Sequence, residues 1–519
     1  MAIKTLIKRS EYHDSVTLML VARELSHMSG VSDAAVVMAT EANKGLLKNA
    51  GLLTLEVESI TANDLVIAVS GPLEILDAAL AEAEKLLSGK QAVIKTGEFH
   101  PKTLRSAVRA NPNANIAVIS VAGRYAAAEA WDALHYGLHV LLFSDNVSLE
   151  DEIALKRYAV EHGLLMMGPG AGTAILNGVA LGFANVLPMG PVGIVSAAGT
   201  GLQEVSTLLA KQGVGISQGI GTGGRDLREE VGGLMMLAGL RALQDDPATR
   251  VIILISKPPA LSVARTVLDQ AALGDKLTVV CFLGGDQTLK VSETLRFTST
   301  LEEAAFLGAQ EARAADRGET KQRSLPTNKG GEHAPVVHSR LQPGQRFLRG
   351  LFSGGTLCYE AQVIWHNLLP DPVLSNAPLD EVNRLPDSTR SQGHTAVDLG
   401  EEEFTVGRPH PMIDNDLRIR RLFQEARDPE VAVVMLDVVL GYGAHPDPAS
   451  ELAPAVRRAR EIARESGREL PVVASVTGTE GDPQGLTRQV CMLEEAGVAV
   501  CESNAAASRL AGRIAMRDV

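Results

Sequence analysis

The chain has 519 residues, of which 45% are hydrophobic, 21% charged and only 3% aromatic. That length calls for three or four domains at roughly 100–200 residues each, and the composition excludes a disordered or fibrous chain. A net charge of −13, from 49 basic and 62 acidic residues, argues against a nucleic-acid partner, because a polyanion needs Lys and Arg to displace its counterions.

The four cysteines, Cys281, Cys358, Cys491 and Cys501, form no CxxC pair and have no His cluster beside them, so no metal site is expected. Isolated thiols fit a reducing compartment. The N-terminal MAIKTLIKRSEYHDS has no apolar signal core, and no apolar run nears the ~20 residues of a membrane span. The expectation is a cytoplasmic protein without a membrane partner.

In chain order, residues 1–90 alternate short strands (Thr5–Ile7, Ala34–Met38, Leu65–Ala68) with helical stretches (Ser15–Ser26, Ala42–Asn49, Leu73–Leu87), which predicts a small α/β domain. Gly89–Asn113 lacks apolar periodicity and reads as a linker. Residues 114–189 carry continuous apolar strands (115–123, 139–143, 164–167) with helices between them, the pattern of a parallel sheet covered on both faces and hence a Rossmann-like domain. Residues 190–320 repeat that doubly wound pattern. Ala315–Pro343 is polar and reads as the clearest interdomain linker. Residues 345–519 form a fourth unit. The third and fourth units share one plan: an apolar strand, a Ser/Gly/Thr turn, and a helix with Glu near its start. This looks like an internal duplication.

The turns are where chemistry is expected. In SAAGTGLQE, Gly199 and Gly201 let the backbone turn tightly, and the helix start offers N–H groups and its positive dipole end to an anion, with Ser196 and Thr200 as further donors. The alternative is a plain capped helix, with Thr200 and Glu204 as capping residues. SGGTLCYE repeats the arrangement with Gly354, Gly355 and Thr356. A pseudo-twofold packing of the two halves would aim both helix starts at one phosphate. In GIGTGGRD, Arg225 offers a fork to phosphate or carboxylate, oriented by Asp226; the alternative is a surface turn with a salt bridge. In TVGRPHPMID, two prolines stiffen a loop bearing Arg408, His410 and Asp414, a candidate acid–base and anion-contact station, or simply a solvated loop. Three strand ends complete the set of substrate- or cofactor-binding candidates. They are the Phe143-Ser144-Asp145-Asn146 turn, the Gly168–Thr173 loop with Gly170, and Ser256-Lys257-Pro258-Pro259.

These segments carry a resemblance. Gly168–Thr173, GPVGIVSAAGTGLQE and GIGTGGRD resemble, in order and spacing, the succinyl-CoA synthetase α-subunit. With FSDNVSLEDE, GGRDLREEVGG, SKPP, SGGTL and TVGRPHPMID, nearly the whole chain resembles the FdrA family. The resemblance implies a CoA-binding-type Rossmann domain followed by two flavodoxin-like CoA-ligase-type domains, with phosphate held between two helix starts. The synthetase's phosphohistidine loop is matched here by Phe282-Leu-Gly-Gly-Asp-Gln-Thr, without His, and no ATP-grasp domain is present. The family's Asp-Cys pair in the strand-end loop is Gly170-Ala171 in this chain.

The resemblance further implies an oxamate carbamoyltransferase subunit in purine breakdown. Phosphate would cleave oxalurate or a related ureido acid to carbamoyl phosphate and oxamate. Arg225 and Arg408 would neutralise charge and His410 would move the proton. Additional protein subunits are expected, with a homodimer as a further arrangement and CoA as a further ligand. An ADP-forming acyl-CoA synthetase subunit and a non-catalytic acyl-CoA-binding scaffold are the alternatives.

Overall fold

The computed structural model describes residues 2–11, 13, 15–26, 28–49, 51–62, 64–89, 101, 103–121, 123–285, 294–317, 341–405 and 409–518. Two compact units divide the chain. The first comprises Met1–Ala114, Ser120–Ala126 and Glu402–His410; the second comprises Asn115–Ile119, Ala127–Glu401 and Pro411–Val519.

In the first unit the elements are β1 (Ala2–Lys8), α1 (Ser15–Ser26), β2 (Asp33–Met38), α2 (Glu41–Asn49), α3 (Leu55–Glu58), β3 (Leu65–Gly71), α4 (Leu73–Gly89) and α5 (Leu104–Ala110). The strands form an antiparallel sheet in the order β1-β3-β2. The central strand β3 reads as an unbroken apolar run because both of its faces are covered. Leu65, Ile67 and Val69 join Leu18, Leu25 and Leu76 of α1 and α4, whereas Val66 and Ala68 join Leu47 and Val57 of α2 and α3. Helix α5 falls inside the stretch expected to be linker. Its start is held by a capping box in which Ser106 stands where Glu is usual: Thr103 Oγ1 accepts the Ser106 N–H at 3.2 Å, and Ser106 Oγ accepts the Thr103 N–H at 3.1 Å.

The second unit opens with β4 (Ile116–Ile119), α6 (Gly123–His135, its start through Ala126 grouped with the first unit), β5 (His139–Leu142), α7 (Leu149–Glu161) and β6 (Met166–Met167), whose strands form a parallel sheet in the order β4-β5-β6. Next come β7 (Thr173–Leu176), β8 (Val179–Gly182), β9 (Met189–Ser196), α8 (Gly199–Lys211), β10 (Ile216–Gly221), α9 (Leu234–Asp245), β11 (Val251–Ser256), α10 (Leu261–Ala272), β12 (Leu277–Phe282), β13 (Leu295–Phe297) and α11 (Leu301–Asp316). They build a sheet in the order β13-β12-β11-β9-β10-β7-β8. The hairpin β7–β8 pairs antiparallel with β10, so the stretch that the sequence assigns to the Rossmann-like domain lends two strands to the next sheet.

The C-terminal half contains β14 (Phe347–Phe352), α12 (Gly355–Leu368), β15 (Val373–Ser375), β16 (His394–Asp398), α13 (Glu402–Thr405, grouped with the first unit), α14 (Asp416–Arg427), β17 (Val431–Val439), α15 (Pro448–Glu465), β18 (Val472–Thr477), α16 (Leu486–Glu495), β19 (Val498–Cys501) and α17 (Asn504–Met516). Its sheet is parallel throughout, in the order β15-β16-β14-β17-β18-β19. The expected linker at Ala315–Pro343 lies largely outside the described residues.

Each large sheet is doubly wound about its first long strand. β9 lies between β10 and β11, and β14 lies between β16 and β17. The chain reverses its direction of travel at these two strands, and open α/β sheets bind ligands beyond the carboxyl ends of such strands. Ser196 and Ser353 stand at those ends. Helices α8 and α12 are buried because each is covered by its own sheet and by the other half. Leu202, Val205, Leu357, Ala361 and Trp365 share one core. No helix among the described residues is long and apolar enough to cross a membrane.

Candidate functional site: two helix starts that meet

The N-cap residues of α8 and α12 are Ala198 and Gly354, and neither gives its helix a side-chain cap. The capping role open to Thr200 and Glu204 is therefore not the one they fill. The Thr200 hydroxyl reaches across to the other half, where its Oγ1 accepts the Thr356 N–H at 3.3 Å. Small residues make this approach feasible. A Cβ on Gly354 would stand 2.9 Å from Thr200 Cγ2, and one on Gly355 would stand 2.6 Å from Asp398 Oδ2. Two uncapped helix starts thus face each other with their positive dipole ends together, an arrangement that favours a bound anion.

Lys257, at the end of β11, adds a cation. Its Nζ lies 5.6 Å from the centre of the Tyr359 ring, and a Cβ on Gly355 would be 3.7 Å from it. Among the described residues Lys257 makes no ion pair. Opposite it, at the end of β16, Asp398 is buried. Its Oδ1 accepts the Gly400 N–H at 2.9 Å, and Asn376 fixes its backbone through two bonds of 2.9 Å. Burial pushes the Asp398 carboxyl up to about 7, against the pull of Lys257 and with help from Glu401. Burial also pushes the Cys358 thiol far up, so this cysteine is inert packing.

A second carboxylate shapes the turn before α12. Asp437 accepts the Ser353 N–H and the Gly354 N–H at 2.7 Å each and the Ser353 hydroxyl at 3.0 Å. Arg418 Nη1 lies 3.0 Å from the same carboxylate. The turn before α8 is held differently: Ser196 Oγ accepts the Ala198 N–H at 3.0 Å and donates to the Ala198 carbonyl at 2.7 Å. Ser196 is therefore spent on its own turn and is not an anion donor.

The shared Glu of the two helices does something no local reading reveals. Glu204 lies five residues after the first residue of α8 (199 to 204), and Glu360 five after that of α12 (355 to 360). Glu204 accepts the Asn504 N–H at 2.9 Å at the start of α17 and the Thr477 hydroxyl. Glu360 accepts the Leu301 N–H at the start of α11 and Asn504 Nδ2, both at 2.7 Å. Each half thus caps the last helix of the other. Burial raises both carboxyls, Glu360 to about 8.

Asp226 is buried against Lys156 Nζ at 2.8 Å and accepts the Met235 and Met236 N–H groups at the start of α9, so it is an anchor and not a reacting group. Arg225 is tied down by Glu152 Oε2 at 2.8 Å and the Val147 carbonyl at 2.9 Å, which corrects its reading as a fork awaiting phosphate. Asp414 accepts the Asp416 N–H at 2.7 Å and organises the start of α14. His410 is grouped with the first unit, and Arg408 lies outside the described residues.

Ser144, Asn146 and Gly170 share one corner. The Gly170 N–H donates to the Ser144 carbonyl at 3.2 Å, and Asn146 and Gly170 both have positive φ. The corner continues through Thr173, whose Oγ1 lies 3.5 Å from a Cβ built on Gly199. Sequence reasoning missed Asp398, Asp437 and Arg418. The available signal was a lone acid closing an apolar strand, as in HTAVD and VAVVMLD.

Comparison with known proteins agrees with this architecture. The uncharacterised protein YahF of Escherichia coli is 46% identical over 514 residues, covering 97% of each chain. The chain belongs to the YahF family. Residues 351–514 match the CoA-ligase family, and residues 1–101 match the family described as AllF, heavy metal-associated domain. The α-subunit of ADP-forming succinate–CoA ligase from Methanothermobacter thermautotrophicus is 28% identical over 146 residues, which is 28% of this chain and about half (48%) of that subunit. A solved structure of the dinucleotide-forming acetyl-coenzyme A synthetase 1 of Ca. Korarchaeum cryptofilum is 16% identical, covering 78% of this chain and 83% of that one, with a TM-score of 0.28.

This YahF-family chain has a succinyl-CoA synthetase-like CoA-ligase fold. The matches to CoA ligases overturn the expectation of a carbamoyltransferase. The heavy metal in the first domain's description does not fit the residues present. Residues 1–101 contain no cysteine, so they offer no thiolate pair, and no group of three or more His, Cys, Asp or Glu able to hold a metal occurs among the described residues.

Proposed function

We propose that this chain is the phosphate-holding subunit of an ADP-forming CoA-ligase-type enzyme, binding a phosphoryl or acyl-phosphate group between the starts of α8 and α12. The observation that carries the reading is the meeting of two helix starts without side-chain caps, bridged from Thr200 Oγ1 to the Thr356 N–H beside Lys257, which makes no ion pair among the described residues. Gly199, Thr200 and Gly201 from one half and Gly355 from the other supply N–H donors to the anion, while the Gly354 and Thr356 N–H groups are held by Asp437 and Thr200 and fix the second helix start in place. Preorganised donors of this kind stabilise charge without reorganising during reaction. CoA is proposed to approach along the corner of Ser144, Asn146 and Gly170, which runs by way of Thr173 to Gly199.

Partner subunits are part of the proposal. Relatives are named as subunits: the succinate–CoA ligase α-subunit, an ADP-forming sulfoacetate-CoA ligase subunit from Bilophila wadsworthia and the malate–CoA ligase α-subunit of Methylorubrum extorquens. The nucleotide and the phosphoryl carrier are assigned to another chain. The test is exchange of labelled phosphate into ATP by the chain purified with its neighbours, in the presence of CoA and a panel of carboxylic acids. CoA- and acid-dependent exchange is expected. Absence of exchange with every partner supplied, together with absence of phosphate binding, would reject the reading.

A further inference from the structure

The two helix starts are not equally available to an anion. Around α8 the turn is closed within itself, Ser196 and Ala198 bonding to each other. Around α12 two carboxylates are close. Asp437 is fully committed: its oxygens take two N–H groups and a hydroxyl, and Arg418 balances its charge. Asp398 is different. Its Oδ1 takes the Gly400 N–H, whereas no hydrogen bond reaches its Oδ2 among the described residues. That oxygen is directed at Gly355, 2.6 Å from where a Cβ would stand, on the same face that Lys257 Nζ approaches. Among the described residues, a buried carboxylate with one oxygen free of hydrogen bonds and an ammonium without an ion pair therefore share the first residue of α12.

We propose that Asp398 sets the protonation state of the anion clamp: a dianionic phosphoryl group binds together with one proton, which Asp398 carries. This rests on the anion reading of the clamp and adds to it the charge state at which the clamp accepts its ligand. An ionised Asp398 would repel a dianion across the start of α12, and a neutral Asp398 offers an O–H donor in the same place. Asp398 is a positioning residue, acting on the helix start and its anion and not on the reacting atoms.

Charged and titratable groups face Asp398 from several elements. Lys257 at the end of β11 favours the ionised form. Glu401 after β16 and Asp437 on β17 oppose it, and Cys358 on α12 stays a neutral thiol. Burial outweighs Lys257 and leaves the carboxyl near neutrality, where it is free to exchange its proton. Glu360, on the same helix, also titrates near neutrality, but its carboxylate faces the starts of α11 and α17 and not Gly355.

Sulfate is the suitable probe, because it keeps its double charge throughout pH 6–9 and phosphate does not. Calorimetry of the full chain, in two buffers of different ionisation enthalpy, measures both affinity and proton uptake. The expectation for the wild-type chain is uptake of up to one proton above neutrality, with affinity falling by as much as about tenfold per pH unit there. Asp398→Asn should abolish proton uptake and hold sulfate at pH 9 about as tightly as the wild-type chain does at pH 6, since the Asn amide supplies the same donor. Glu360→Gln should leave the linkage unchanged. Sulfate binding without proton uptake in the wild-type chain would overturn the role of Asp398 while leaving the clamp intact, and so would uptake that survives Asp398→Asn. Failure of the wild-type chain to bind sulfate at any pH would reject the clamp itself. The wild-type measurement decides the matter even if the variant does not fold.

Discussion

The turn into α8 and the turn into α12 have the same backbone plan and are held differently. The first is closed by a serine hydroxyl on its own backbone, and Gly199 has room: the nearest atom to a Cβ there is Thr173 Oγ1 at 3.5 Å. The second is held from outside by Asp437 and crowded by Asp398, with a Cβ on Gly355 at 2.6 Å from a carboxylate oxygen. One half offers an open positive end; the other offers a positive end already partly balanced by the protein. The two halves repeat one strand–turn–helix geometry, and different residues at two strand ends make them unequal. The proposed anion between them would be held asymmetrically.

The largest expected effect comes from attacking the second turn's external support. Asp437→Ala removes three hydrogen bonds and strands the buried Arg418, which should cost about 3–5 kcal/mol of unfolding free energy in urea. The counterpart Ser196→Ala loses only a local pair of bonds and should cost about 1 kcal/mol. Equal losses would erase the proposed difference in how the turns are held.

The clamp itself is probed by glycine. Gly355→Ala should weaken sulfate binding by about 100-fold, because the methyl group displaces Asp398 or the helix start, an overpacking of about 1–3 kcal/mol. Gly199→Ala meets ordinary van der Waals distances and should change binding by less than about threefold. A reversal of that order, measured by calorimetry on folded variants, would place the crowded turn in the wrong half.

The reciprocal caps give a pH signature. The folded-state value of Glu360, about 8, lies above its ordinary value of 4.5. The folded chain therefore binds more protons between those values, and its contribution to stability is full below about pH 4.5 and lost as pH rises through 8. The wild-type chain should melt at a higher temperature at pH 6 than at pH 8.5, and Glu360→Gln should flatten that difference. The smallest effect is expected at the bridge between halves. Thr200→Val should cost about 0.5–1.5 kcal/mol, one neutral hydrogen bond, and Thr200→Ser should cost nearly nothing.

Much of the fold was legible because it is written locally. Unbroken apolar strands such as VIILIS and VAVVMLD announce parallel sheets covered on both faces, and the repeated strand–turn–helix plan with its Glu announces two related halves. The site was legible only in its backbone part. Glycines and an uncapped helix start can be read from neighbours in sequence. Arg225 and Asp226 looked like ligand-binding groups because their partners, Glu152 and Lys156, lie some 70 residues away. Asp398 and Asp437 looked like ordinary strand ends.

The sequence by itself determined the α/β class, the shared strand–turn–helix plan of two halves, and which turns could expose helix starts, because periodicity and glycine act within a few residues. Only the tertiary structure decided that the two starts meet, that Glu204 and Glu360 cap each other's terminal helices, and that Asp398 rather than Asp226 stands at the clamp. The reason is physical: a buried charge is given its role by whatever packs around it, and those groups come from distant parts of the chain.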